Sequence, residues 1–179
     1  DSGYEGSAGS CTACAADTYS ALTCPDGYTE FNGDCWGHSD TLGLAEMGCP
    51  DAEDYCVSVG GHLATISSSL EQDFVVQLRE SANSGSPLWI GLNTFNNGNL
   101  EWFDGSSVEY TFWKSGEPDA NQNSDTCVAL SLSSALDPTG RWEDWAIIDY
   151  LEPFICRISK SSTCASCPAN THSPVGSDG

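Results

Sequence analysis

The sequence predicts an α+β, disulfide-rich fold, and three observations carry that reading. Ten cysteines stand in 179 residues, a density that belongs to oxidising compartments and a disulfide framework. Two segments of the middle of the chain carry helix signals. The remainder of that middle breaks into short strand-like runs separated by turn residues. A hydrophobic content of 39%, with six each of Trp, Tyr and Phe, suffices for one globular domain with a real core and short appendages.

Taken in order, residues 1–23 form a Gly/Ser-rich entry and a cysteine-bearing segment, 24–159 the main domain, and 160–179 a second short segment. The run CPDGYTEFNGDCW, from Cys24 through Cys35 to Trp36, predicts a hairpin turning at Asn32-Gly33. Asp51 to Val59 reads as a helix, with Asp51 as N-cap, acidic residues in the first turn and Gly60-Gly61 ending it. Ser68 and Glu71 have capping-box spacing, and Leu70, Phe74, Val75 and Leu78 recur at helical spacing. A second amphipathic helix is therefore expected over 69–81. Strands are expected at Leu88 to Leu92, Leu100 to Phe103, Cys127 to Leu132, Trp142 to Trp145 and Phe154 to Ile158. The polar stretch from Gly105 to Asp125 is left as a loop, and loops of that length inside compact domains are usually functional.

Charge excludes some partners. The chain carries 26 acidic against 5 basic residues, net −21. Such a surface repels phosphate backbones and anionic lipid, so neither nucleic acid nor a membrane surface is an expected partner. It favours divalent cations, although a solubilising surface accounts for the net charge equally well. No apolar run approaches the roughly 20 residues that span a bilayer. The opening DSGYEGSAGS has no signal-peptide character, which suggests a mature segment of a secreted or cell-surface protein. The sequence has no G-x-S-x-G, H-E-x-x-H or phosphate-cradling Gly-rich loop, so no enzyme is expected. The run Asn93 to Asp104 matches a helix–loop–helix calcium loop only in part, because Phe95 sits where a ligand belongs.

The two ends echo each other. Cys11-Thr-Ala-Cys14 and Cys164-Ala-Ser-Cys167 each open the pattern C-x-x-C-x-A-[DN]-T-x-S. These segments resemble pieces of the short cysteine-rich, ephrin-receptor-like repeats of extracellular proteins, units too short to bury a core alone. Zinc is disfavoured for these pairs, which lie at opposite ends of the chain with no histidine at ligand spacing.

The middle of the chain resembles a C-type lectin-like domain. The segments that carry the resemblance are Cys24…Cys35-Trp36, Tyr55-Cys56 through Gly60-Gly61-His62-Leu63-Ala64-Thr65-Ile66, and Trp89-Ile90-Gly91-Leu92. Downstream they are Phe112-Trp113, Gly116-Glu117-Pro118-Asp119, Asp125-Thr-Cys127-Val128, Trp142-Glu143-Asp144 and Phe154-Ile155-Cys156. The match covers about three quarters of the chain. It implies a double-loop fold with two helices and small antiparallel sheets, and bridges Cys24–Cys35 and Cys56–Cys156. The partner that the family usually gives a cysteine at position 127 would fall near Ile148, where this chain has none. Cys49 is the extra cysteine, and Cys49–Cys127 is the remaining combination if each C-x-x-C closes locally.

The resemblance also implies a calcium ion bound by Glu117, Asp119, Asp125, Glu143 and Asp144, with two vicinal sugar hydroxyls completing the shell at the same residues. A proline at the place of Pro118 is typically cis in the family. Family sugar sites use E-P-N or Q-P-D, and W-N-D after the loop; here the triplets are E-P-D and W-E-D. An amide donates to a sugar oxygen, whereas an ionised carboxylate only accepts. Five carboxylates on one Ca²⁺ would also leave a surplus of negative charge, so donors must come from Asn121, Gln122, Asn123 or Lys114. Trp145 is either a stacking face for a sugar or a buried strand residue, the second being favoured. His62 is expected to be structural. Two functions follow as expectations. One is an extracellular Ca²⁺-dependent module that binds a glycan or glycoprotein. The other is a structural or protein-interaction module of an extracellular matrix, cell-wall or filament protein, in contact with neighbouring repeats of the same protein, with calcium only rigidifying the loop.

Overall fold

The structure, a computed structural model, describes residues 18–82, 85–95, 98–119, 126–131, 140–146 and 150–166, with 18–22 and 161–166 described through their backbone alone. The elements are, in chain order, β1 (Thr18–Thr23), β2 (Thr29–Phe31), β3 (Asp34–His38), α1 (Cys49–Ser58), β4 (Gly61–Leu63) and α2 (Ser69–Ser81). There follow β5 (Leu88–Asn93), β6 (Glu101–Trp102), β7 (Thr126–Ser131), β8 (Arg141–Ala146), β9 (Ile155–Ser159) and β10 (Ser161–Ser166). They fall into two compact units, one made by the chain ends up to Thr23 and from Lys160, the other by Cys24–Ser159. In the first, β1 and β10 pair antiparallel from Thr18↔Ser166 to Thr23↔Ser161. Cys11, Cys14 and Cys167 lie outside the described residues.

The larger unit holds two antiparallel four-stranded sheets, ordered β2-β3-β9-β4 and β6-β5-β7-β8. The β2–β3 hairpin turns at Asn32 (φ 52°) and Gly33 (φ 93°), the positive-φ pair that a tight hairpin requires. Strand β9 then lies between β3 and β4, so an early and a late segment of the domain share one sheet. Cys56–Cys156 and Cys49–Cys127 bridge elements 100 and 78 residues apart, and Cys24–Cys35 closes the hairpin. Each of the two long loops is worth about 4 to 5 kcal/mol on the chain-entropy view of cross-linking.

Helix α1 begins at Cys49, earlier than the sequence suggests. Its N-cap is Gly48, without a side-chain bond, and Pro50 occupies the first turn, where a missing N–H costs nothing. Asp51 therefore sits inside the first turn instead of capping it. Glu53 ties this helix to β4: Oε2 accepts from the Leu63 N–H at 2.8 Å and Oε1 meets His62 Nδ1 at 2.6 Å. His62 is thereby a structural residue.

Helix α2 spans the predicted residues, and Ser68 caps it by accepting from the Glu71 N–H. The return bond of the capping box lands one residue early, with Glu71 Oε2 accepting from the Ser67 N–H and Oγ at 2.6 and 2.7 Å. The buried face also differs from the apolar spacing. Leu70 is 70% exposed, while Gln72 and Arg79 are buried beside Val75. Gln72 spans the core, donating to Gly140 O at 2.9 Å and accepting from Trp142 Nε1 at 2.9 Å. Arg79 donates through Nε and Nη2 to Ser86 O.

The core has two parts. One gathers Trp36, Trp102, Trp142, Ile66, Val75, Ile90, Leu92 and Leu130. The other surrounds the two long disulfides with Ala52, Leu63, Trp89, Ala129 and Phe154. Between the sheets the backbones approach closely: a Cβ on Gly91 would lie 2.4 Å from Leu63 O, so only glycine fits there.

Candidate metal centre

Strand β8 is the floor of the site, and its two-residue period decides which acid does what. Trp142 is fully buried and Asp144 is 7% exposed; they share one face. Glu143 and Trp145 share the other. The segment Phe112–Asp119 is stitched alongside. Trp142 N–H donates to Phe112 O at 2.9 Å and Lys114 N–H to Trp142 O at 3.0 Å, a parallel bridge of Trp113 to Trp142. The chain then turns, with Glu117 N–H bonded to Lys114 O at 3.0 Å and Gly116 at φ 99°. The Glu117–Pro118 peptide is cis.

This path brings Glu117, Asp119 and Asp144 together, with one carboxylate oxygen from each inside 4.8 Å of the others. The Asp119 N–H joins them, donating to Asp144 Oδ1 at 2.9 Å and Glu117 Oε2 at 3.2 Å. Burial, the hydrogen bond with Asp144 and the charge of Asp119 together push the Glu117 carboxyl above its usual range. A divalent cation relieves that crowding. The donors are all hard carboxylate oxygens, the set Ca²⁺ takes, and they provide part of its six-to-eight-oxygen shell. The residues present thus fit a calcium ion.

Glu143 does not join them. Its Oε1 accepts from Lys114 Nζ at 2.6 Å and from Ser131 Oγ at 2.5 Å, and its Oε2 from Trp145 Nε1 at 3.4 Å. Burial opposes its ionisation, but the bonds from Lys114, Ser131 and Trp145 outweigh that and hold its carboxyl below the usual range. Lys114 is raised by the same hydrogen bond and by the charge of Glu143. Ser131 was not singled out in the sequence; the pairing of Ala129 with Glu143 in the β7–β8 ladder is what places it. Asp125, Asn121, Gln122 and Asn123 lie outside the described residues. Trp145 packs edge-on against Trp89 and tilts against Tyr150, with centroids 5.6 and 5.1 Å apart, as a half-buried strand residue does.

The chain belongs to the C-type lectin domain family. The family model described as Lectin C-type domain matches residues 45–158, and the fold of two helices, antiparallel sheets and three disulfides agrees. The family is one of binding modules, not enzymes. A similar curated protein is the alpha-N-acetylgalactosamine-specific lectin of Patiria pectinifera, 32% identical over 141 residues, covering 75% of this chain and 80% of that one. Another is the galactose-specific lectin nattectin of Thalassophryne nattereri, 28% identical over 145 residues and covering 80% of both. Among solved structures, the C-type lectin CEL-I from Cucumaria echinata aligns with TM-score 0.65 at 26% identity, covering 77% of this chain and 99% of that one. A calcium-independent type II antifreeze protein aligns equally well, with TM-score 0.65, 26% identity, and coverage of 79% and 98%.

Proposed function

We propose that this chain is a Ca²⁺-dependent carbohydrate-binding module of an extracellular, larger repeat-containing protein. The observation that carries the reading is the convergence of Glu117, Asp119 and Asp144 on one point, at the places where lectins of this family hold calcium. Asp125 is the fourth proposed ligand. Glu143 is left out, because its carboxylate already has three donors. Calcium held by these residues would supply the positive charge that attracts the hydroxyls of a sugar. The protein's own part is to hold three acids in register through the Asp119 N–H and to fix β8 beneath them. Similarity to lectins specific for galactose and N-acetylgalactosamine supports a glycan or glycoprotein as partner.

A second reading rests on a separate observation. The fold is shared with a calcium-independent protein, so it can serve as a structural module, contacting neighbouring repeats through the C-x-x-C segments at its ends. A panel of immobilised glycans, read with and without a calcium chelator, separates the two. Binding that disappears with chelator is expected. Saturable calcium binding with no glycan retained at high density would remove the lectin reading and leave the structural one.

A further inference from the structure

Position 143 has lost the amide that family sugar sites use, and the structure shows what replaces it. Lys114 and Glu117 belong to one backbone turn, since Lys114 O accepts from the Glu117 N–H. The turn that carries Glu117 to the acidic cluster therefore also carries Lys114 to its rim. There Lys114 Nζ meets Glu143 Oε1 at 2.6 Å, with side chains 39% and 16% exposed. Glu143 is in turn braced by Ser131 and Trp145. The pair is formally neutral, so the residue next to Asp144 adds no net charge to the cage. An ammonium has three N–H donors, and among the described residues only Glu143 accepts from this one. The charge of Glu117 reaches this exposed ammonium, and its other two N–H groups have no acceptor among the described residues. That is the donor function an amide supplies elsewhere, delivered by a different residue pair.

We propose that Lys114, clamped by Glu143, is the hydrogen-bond donor of the ligand site. It contacts an acceptor oxygen of an uncharged sugar whose vicinal diol sits on the ion. The proposal rests on the calcium-dependent reading above. The uncharged class follows from the field: the chain is net −21, so an anionic sugar meets repulsion that one ammonium does not offset. Glu143 is then a positioning residue and not a calcium ligand.

The test titrates wild type, Lys114→Met, Lys114→Arg and Glu143→Gln with CaCl₂ by calorimetry. Each protein is then measured against mannosyl, galactosyl and N-acetylgalactosaminyl neoglycoproteins in saturating calcium. Lys114→Met is expected to bind calcium at least as tightly as wild type, having lost a nearby positive charge. Its sugar binding should weaken about tenfold or more, as loss of a charged hydrogen bond predicts, with Lys114→Arg retaining part of it. Glu143→Gln should keep calcium affinity within about threefold while sugar binding falls, because the clamp is weakened. Sugar binding by Lys114→Met equal to wild type would overturn the proposal and leave the lectin reading intact. So would a tenfold loss of calcium in Glu143→Gln, which would make Glu143 a ligand. Calcium binding by wild type with no sugar bound would overturn both.

Discussion

Two groups of acids in this domain meet opposite treatment. On the β2-β3-β9-β4 sheet, Arg157 gathers Asp34 at 2.8 Å and the fully buried Glu71 at 3.3 Å. Its guanidinium also bonds Thr65 O at 3.0 Å and lies over the Trp36 ring, 4.8 Å from its centroid. Beside β8, by contrast, Glu117, Asp119 and Asp144 converge on one another. The first group is complete as it stands. In the second, the proposed calcium site, the carboxylates face one another and share the Asp119 N–H. With 26 acids to choose from, the cations and donors around a carboxylate, and not its acidity, separate a structural carboxylate from a candidate ligand.

The largest way to break that contrast is Arg157→Ala. It strands Glu71 without its cation at 1% side-chain exposure, so denaturant unfolding should show a loss of about 3 kcal/mol or more. Calcium affinity of the folded variant should stay near wild type, since Arg157 belongs to the other sheet; a large loss would mean that the two acid groups are coupled. Asp144→Ala is the mirror experiment. It should abolish calcium binding in calorimetry, while in chelator its stability stays within about 1 kcal/mol of wild type. Calcium should raise the thermal midpoint of wild type and leave this variant unmoved.

Glu117 and Glu143 sharpen the comparison through pH. The folded Glu117 carboxyl sits above its ordinary range, so its native state holds the proton more tightly than the unfolded chain does. In chelator its contribution is favourable in acid and is lost as pH rises through the carboxylate range. Glu143 is depressed, so its contribution is present at neutral pH and lost as pH falls through the folded value. Urea titrations from pH 3.5 to 7 should therefore show Glu117→Gln flattening the loss toward neutral pH. Glu143→Gln should instead reduce stability at pH 7 and have little effect in acid. The same slope for both variants would contradict the geometry of β8. The smallest expected effect belongs to Leu70→Ser. At 70% exposure this helix residue contributes little, and the change should cost within about 0.5 kcal/mol by thermal melting.

Local chemistry explains which parts of the molecule the residues alone could specify. Asn32-Gly33 tolerates the positive φ of a tight hairpin, Ser68 carries a hydroxyl for the α2 N-cap, and strand-length apolar runs mark most of the central sheet. Each of these depends on neighbours a few residues away. The acids beside Pro118 and after Trp142 were likewise visible as motifs. What the sequence left open depends on contacts between distant residues. Apolar spacing placed Leu70 inward, yet Gln72 and Arg79 occupy that interface, Gln72 bonded to Gly140 and Trp142 across the core and Arg79 donating through Nε and Nη2 to Ser86 O. Pro50 moved the start of α1 upstream of Asp51, a matter of which residue the first turn accommodates.

The division is sharpest at β8. Trp142-Glu143-Asp144 reads in sequence as two adjacent ligands. The fold splits them, because neighbouring side chains on a strand point to opposite faces: Asp144 meets Glu117 and Asp119, while Glu143 is taken up by Ser131 and by Lys114, which begins the turn that carries Glu117. The sequence by itself determined the family, the acids and the cis-competent proline between them. Tertiary structure alone decided which acids meet and which is neutralised, since a carboxylate's role follows from the charge and donors within a few ångströms of it.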